Sequence, residues 1–283
     1  MINDSHCHAW AIWPYQPAVP DPETRGSVEQ LLFEMDQNGV DRALVVCAQI
    51  DHNPDNNAYV ADACGKYADR LLQIADVDSM WSSTYHKPGA ADRLRHAAEC
   101  WPLTGFTHYL HAEDDGSWLA SEEGLRFLGT AAEHELIASI HCHPHQQRAL
   151  RIAAEHIPQM PFLIHHLGHP RVSSPEGLAE ILASAKAPNL FVKISGFYYA
   201  TGGGKWDFPY RDTHDTVRAI YEHFGARRIC WGSDYPVVRQ FMTYRQALEA
   251  VRTCCHFMTA DEIAWVLGRT LNTLLARRYD SQP

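Results

Sequence analysis

His6 and His8 stand one residue apart at the end of a short opening stretch, Ile2-Asn3-Asp4-Ser5-His6-Cys7-His8. Successive side chains on a strand alternate between faces, so the two imidazoles project one way and Cys7 the other. Two imidazoles converging from one strand end can hold a divalent cation, with nitrogen–zinc distances of about 2.0–2.1 Å. In a chain with 18 histidines such a pair carries little weight alone. The weight comes from residues at the ends of later apolar runs: His141 with His143, His165 with His166, and Asp234 in Gly232-Ser233-Asp234-Tyr235-Pro236. Histidines and one carboxylate gathered at one place make a mononuclear nitrogen/oxygen metal site with an open position.

Such a gathering needs a fold that brings several strand ends together. Apolar runs predict eight strands, at Ile2–His8, Ala43–Gln49, Leu71–Ala75, Leu103–His108, Leu136–His141, Pro161–His166, Leu190–Ile194 and Arg228–Gly232. Several are unbroken runs, as expected of strands buried on both faces. Helices alternate with them. Ser27-Val28-Glu29-Gln30 has capping-box form and opens a helix that Gly39 can end. Others are predicted over Pro54–Tyr67, Gly89–Cys100, Ser121–His134, His145–His156, Pro175–Lys186 and Asp212–Phe224. Further helices close the chain, the last capped by Thr259-Ala260-Asp261-Glu262. This alternation points to a single α/β domain over residues 1–283, a (β/α)8 TIM barrel with C-terminal helices. An open doubly wound sheet is the alternative, but no Gly-rich phosphate turn comes after the first strand. Active sites of such barrels lie at the C-terminal strand ends, where the histidines and Asp234 fall.

Composition narrows the function classes. The net charge of −10 and the lack of a basic stripe argue against a nucleic-acid partner. No apolar run approaches the roughly 20 residues of a membrane span. The start lacks the basic and apolar regions of a signal peptide. Eight scattered cysteines without a C-x-x-C spacing suit reduced cytoplasmic thiols better than disulfides or a structural zinc site. The partner expected is a small-molecule substrate, with a homo-oligomer left open.

Four segments, in order along the chain, resemble the amidohydrolase superfamily, specifically its amidohydrolase-related metal-dependent TIM-barrel hydrolases. They are Asp4–His8, Phe162–Pro170, Val192–Gly196 and Trp231–Pro236. The resemblance is greatest to the branch of 2-pyrone-4,6-dicarboxylate lactonase and sugar lactonases, and related decarboxylases share its ligand scheme. It implies metal ligands at His6, His8, His141 and Asp234, and a catalytic histidine at His166. His143 has the same strand parity as His141 and stays the alternative ligand. His165 and His166 should point to opposite faces, so only one can line the mouth, and the His-Leu-Gly match selects His166. Binuclear members carry a bridging lysine or glutamate at the end of the fourth strand; Leu103–Leu110 has neither, which favours one metal. Zinc is the first expectation and manganese the second, with metal-free operation left open by relatives in this branch.

The chemistry expected is ring opening of a small polar lactone. A divalent ion would lower the pKa of its bound water to about 7. Asp234 would ligate it and pass the water proton to the leaving group, and His166 would polarise the carbonyl. Specificity is assigned to Trp10, Trp13 and Tyr15 of the long first loop, and to Tyr109, His111, Arg171, Tyr198 and Arg239 near strand ends, the arginines suiting a carboxylate. Each has a plainer reading: Asp234 could cap a helix, and Lys193 could line the site or reach the barrel floor. His52, His86, His96, His134, His156, His223 and His256 are read as surface or packing residues. Two other functions compete: a non-oxidative decarboxylase on the same barrel, and a metal-binding barrel without activity.

Overall fold

A computed structural model describes residues 1–280 of the chain. Its eight strands form one parallel sheet in sequence order. They are β1 Asn3–Cys7, β2 Arg42–Val46, β3 Leu71–Asp76, β4 Gly105–Tyr109, β5 Ile137–His141, β6 Phe162–Ile164, β7 Leu190–Ile194 and β8 Ile229–Trp231. The seam between β8 and β1 is held past the strand ends, by Asp234 N–H to the His6 carbonyl (2.8 Å) and His8 N–H to the Tyr235 carbonyl (2.6 Å). The architecture is the (β/α)8 barrel expected from the alternation of apolar runs.

The helices between the strands are α1 Val28–Asn38, α2 Asn56–Lys66, α3 Ala90–Cys100, α4 Glu122–Glu133, α5 Gln147–His156, α6 Pro175–Ala183 and α8 His214–Phe224. A one-turn helix, α7 Phe197–Ala200, comes directly after β7. The Ser27 and Ser121 hydroxyls accept the backbone N–H groups of Gln30 and Gly124, satisfying donors that a helix start leaves free. After β8 come α9 Tyr244–Arg252, α10 Ala260–Ala264 and α11 Thr270–Asp280. The Thr259–Glu262 capping box opens the short α10, and a π-type turn over Trp265–Arg269 leads into α11.

Strand alternation divides the core in two. Leu44, Val46, Ile74, Ile137, Leu163, Phe191 and Cys230 fill the barrel, with Leu271, Leu274 and Leu275 of α11 packed against them. Their strand neighbours, among them Ala43, Val45, Ala138 and Val192, belong to the larger core shared with the helices. Lys193 has the parity of Phe191 and therefore also points inward.

Candidate active site

Both flanks of β1 are shaped to bring it against β8. Asp4, fully buried, accepts the backbone N–H groups of His6 (3.0 Å) and Ser233 (2.9 Å) on one oxygen and the Tyr244 hydroxyl (2.9 Å) on the other. Burial pushes its carboxyl up to about 6, against these hydrogen bonds. Gly232 permits the approach: a Cβ there would lie 2.7 Å from the His6 Cβ. Asp234 then turns inward with φ of +58°, a left-handed conformation that short polar residues tolerate best.

The result is one carboxylate oxygen facing three imidazoles. Asp234 Oδ1 lies 3.6 Å from His6 Nε2, 3.5 Å from His8 Nε2 and 3.9 Å from His166 Nε2. Asp234 Oδ2 accepts the hydroxyls of Tyr198 and, at 3.1 Å, Tyr199. Burial raises the Asp234 carboxyl, but His166, His8 and the Tyr198 hydroxyl outweigh it and hold it below the ordinary range. Burial lowers His166 to about 4 and, with the nearby Lys193 amine, takes His6 well below its ordinary value. At neutral pH these two imidazoles are uncharged and keep a lone pair.

This donor set fits a divalent metal. Ligand bonds of 2.0–2.2 Å in a tetrahedron give donor–donor edges of roughly 3.4 Å, close to the Asp234–His6 and Asp234–His8 separations. His8 Nδ1 faces the Val46 carbonyl at 2.6 Å, and a carbonyl only accepts, so the proton sits on Nδ1 and Nε2 is left as the ligand. His6 Nε2 is buried without a hydrogen-bond partner, as a ligand nitrogen would be. The donor atoms of His6, His8 and Asp234 all lie within 4.8 Å of one another.

Other residues fall differently from the sequence reading. His141 is outside both groups of mutually close donors; its ring stacks on Tyr109 (4.9 Å) and meets His169 (4.4 Å). His143 turns toward a side cleft and is the less central of the pair. His165 does point inward, correcting the opposite-face expectation: its ring is 4.4 Å from His6, as close as the 4.5 Å of His166. His165 keeps the inward parity of Leu163; the strand ends at Ile164, and positive φ at His166 (45°) and Leu167 (61°) brings His166, which alternation would send outward, into the mouth as well. His6, His165 and His166 form a second group of close donors.

Lys193 buries its amine beside the site, 3.1 Å from His6 Nδ1 and donating to Ser139 Oγ at 2.6 Å; Ser139 in turn meets His165 Nε2 at 2.7 Å. Burial brings the amine down to about 7. Sequence reasoning missed Ser139, Ser195 and Tyr199. Parity with His141 was the available signal for Ser139, and parity with Lys193 within the Val192–Gly196 segment for Ser195; nothing in the sequence singles out Tyr199.

The expected substrate residues scatter. Trp10 is fully buried, stacked on His8 at 4.9 Å with its indole N–H on the Ala48 carbonyl, so it braces His8. Tyr109 stands between His141 and His165 on the inner wall. Tyr198 is buried and holds Asp234, which replaces its specificity role. Arg171 lines a cleft of about 430 Å³ with His143, His145, His169 and Glu176. Arg239 lies elsewhere, in a groove with Trp206 and Phe241.

Known proteins resemble this chain in sequence and in fold. The chain is 27% identical to an L-fucono-1,5-lactonase of Burkholderia ambifaria, over 94% of this chain and 92% of the relative. Among solved structures, an amidohydrolase of Burkholderia multivorans with bound zinc superposes with a TM-score of 0.77 at 19% identity, covering 98% of this chain and 99% of that one. A structure from Acinetobacter baumannii described as a probable 2-pyrone-4,6-dicarboxylic acid hydrolase, with citric acid bound, gives 0.73 at 20% identity, covering 97% and 99%. The amidohydrolase family model matches residues 3–270, and the chain belongs to that family of enzymes.

Proposed function

We propose that this enzyme hydrolyses a small lactone bearing several hydroxyls, using His6, His8, His166 and Asp234 at the barrel mouth. The observation that carries the reading is the carboxylate of Asp234, pinned at Oδ2 and presenting Oδ1 to the imidazoles of His6, His8 and His166. The lactonase relative supports the substrate class.

His6, His8 and Asp234 would hold one divalent ion, zinc in first place, and that ion would supply Lewis acidity and a more acidic water. The protein's own groups do the rest. Asp234 Oδ1 takes a proton from the water whose oxygen bonds to the lactone carbonyl carbon. If the Ser195 hydroxyl donates to His166 Nδ1 (3.0 Å), the His166 proton sits on Nε2, aimed into the mouth. From there it donates to the carbonyl oxygen as charge builds on it. The bond from carbon to the ring oxygen then breaks, and Asp234 returns its proton to that oxygen. The product is an open hydroxy acid.

The test is a panel of five- and six-membered sugar lactones, including L-fucono-1,5-lactone, monitored with a pH indicator, beside aromatic carboxylic acids with carbon-dioxide detection. Acid release from a lactone without carbon dioxide from any acid is expected. Carbon dioxide from an aromatic acid, with no lactone opened, replaces this reading with the decarboxylase one, in which Asp234 protonates carbon.

A further inference from the structure

Tyr198 and Tyr199 are neighbours on the single turn of α7, yet both hydroxyls reach the same atom, Asp234 Oδ2. Adjacent helical residues diverge by about 100°, so their meeting at one oxygen requires the turn to sit against the carboxylate. Gly196 puts it there. Its φ is +64°, and a Cβ at this position would lie 2.5 Å from the Tyr199 ring and 3.0 Å from His166 Nδ1. The Tyr198 ring is locked between Phe241 (4.5 Å) and Tyr199 (4.6 Å). The Tyr199 ring packs on His166 at 4.9 Å. The two phenols are fixed donors.

A carboxylate oxygen has two in-plane acceptor sites, and here two O–H donors fill both. Oδ2 is left with nothing to offer a metal or a proton. Oδ1, 3.5–3.9 Å from the three imidazole nitrogens, keeps its own. We propose that Tyr198 and Tyr199 are positioning residues that confine Asp234 to one-oxygen chemistry: it binds metal through Oδ1 alone and takes the water proton on that same atom. This rests on the hydrolytic reading above. It goes beyond that reading by assigning the pair a purpose that neither substrate contact nor packing supplies.

Cobalt(II) substituted for zinc gives a test that does not need the substrate. Wild type, Tyr199→Phe and Tyr198→Phe/Tyr199→Phe are titrated with cobalt chloride and monitored by visible absorption, with thermal unfolding in parallel. The wild type should give intense low-coordinate bands. In the double variant the freed carboxylate can turn, so the bands weaken and the cobalt affinity falls by about 10-fold or more, the scale of lost support to a ligand. Tyr199→Phe, which alters a hydroxyl nearer the rim, should show the same trend in smaller degree and stands in if the double variant does not fold. On an opened lactone, kcat should fall and KM hold. A double variant with wild-type bands, affinity and kcat overturns the proposal. If wild type takes up no cobalt, the metal reading fails on its own. The positioning claim is then decided by crystal structures of both proteins: an Asp234 carboxylate turned about its axis in the double variant supports it, and an unmoved one overturns it.

Discussion

At the strand ends His6, His141, His165 and His169 each keep one buried ring nitrogen with no hydrogen-bond partner, whereas His86, beyond β3, and His108, on β4, commit all of theirs. His108 Nδ1 meets the Val77 carbonyl at 3.1 Å, its Nε2 meets His86 Nε2 at 3.2 Å, and His86 Nδ1 lies 3.1 Å from Asp114. Asp114 also accepts the Tyr85 hydroxyl at 2.7 Å, and Trp118 stacks on His86 at 4.3 Å. Both groups are histidine-rich and flank the same barrel. A buried polar atom left unpaired costs on the order of 1–3 kcal/mol, so a fold that leaves several together holds them for something other than stability. We read the histidine-paired cluster as a structural clip, although Trp118 Nε1 beside it also lacks a partner, and the other as the candidate for chemistry.

The largest expected effect separates the two directly. Asp234→Asn removes the basic oxygen and should lower turnover at least ~100-fold, the scale of lost general acid–base catalysis. His166→Asn should lower turnover as well while leaving metal content nearly intact, because His6, His8 and Asp234 supply the closest donors. A normal rate for Asp234→Asn overturns its role.

Next comes stability, to which the clip contributes beside the site imidazoles that burial also lowers. Burial lowers His108 from 6.5 to about 4 in the folded chain. Between those values the unfolded chain binds the proton that the folded one refuses, so its contribution is complete above pH 6.5 and is lost as pH falls toward 4. The loss is on the order of 3 kcal/mol. Melting temperature measured over this window should fall less steeply for His108→Leu than for wild type; equal slopes contradict the assignment. His86→Phe should cost about 1–3 kcal/mol in denaturant unfolding and leave kcat unchanged.

The barrel was legible because most strands, such as β2, β6 and β7, are apolar runs separated by helices with recognisable caps, while β1 and β4 are polar and were placed by the alternation around them. The site was legible in part. His6, His8 and Asp234 follow from strand ends and motif, since two-residue spacing survives in a strand. His165 follows the inward parity of Leu163, and His166 joins it in the mouth against alternation, because parity holds only while the backbone stays extended and left-handed φ at His166 and Leu167 ends that regime. His141 carries the right parity but lies outside both groups of mutually close donors, against Tyr109 and His169. Tyr198 and Tyr199 meet one oxygen only because Gly196 folds their turn back. Arg171 and Arg239 looked equivalent, each a few residues past a strand end, and occupy different grooves.

That last difference predicts the smallest effect. Arg239→Met should leave KM on a neutral lactone unchanged, and Arg171→Met should raise it only if substrate extends into the side cleft with His143 and His169. A large KM rise for Arg239→Met on any opened lactone would move the mouth of the site toward Trp206.

The contrast between the clusters is tested most directly by zinc content, measured by elemental analysis on protein purified without chelator and dialysed against zinc. The expected result is about one zinc per chain in wild type and in His86→Phe, and essentially none in His8→Ala. A wild type without zinc, or a His8→Ala protein that retains it, contradicts the site described here.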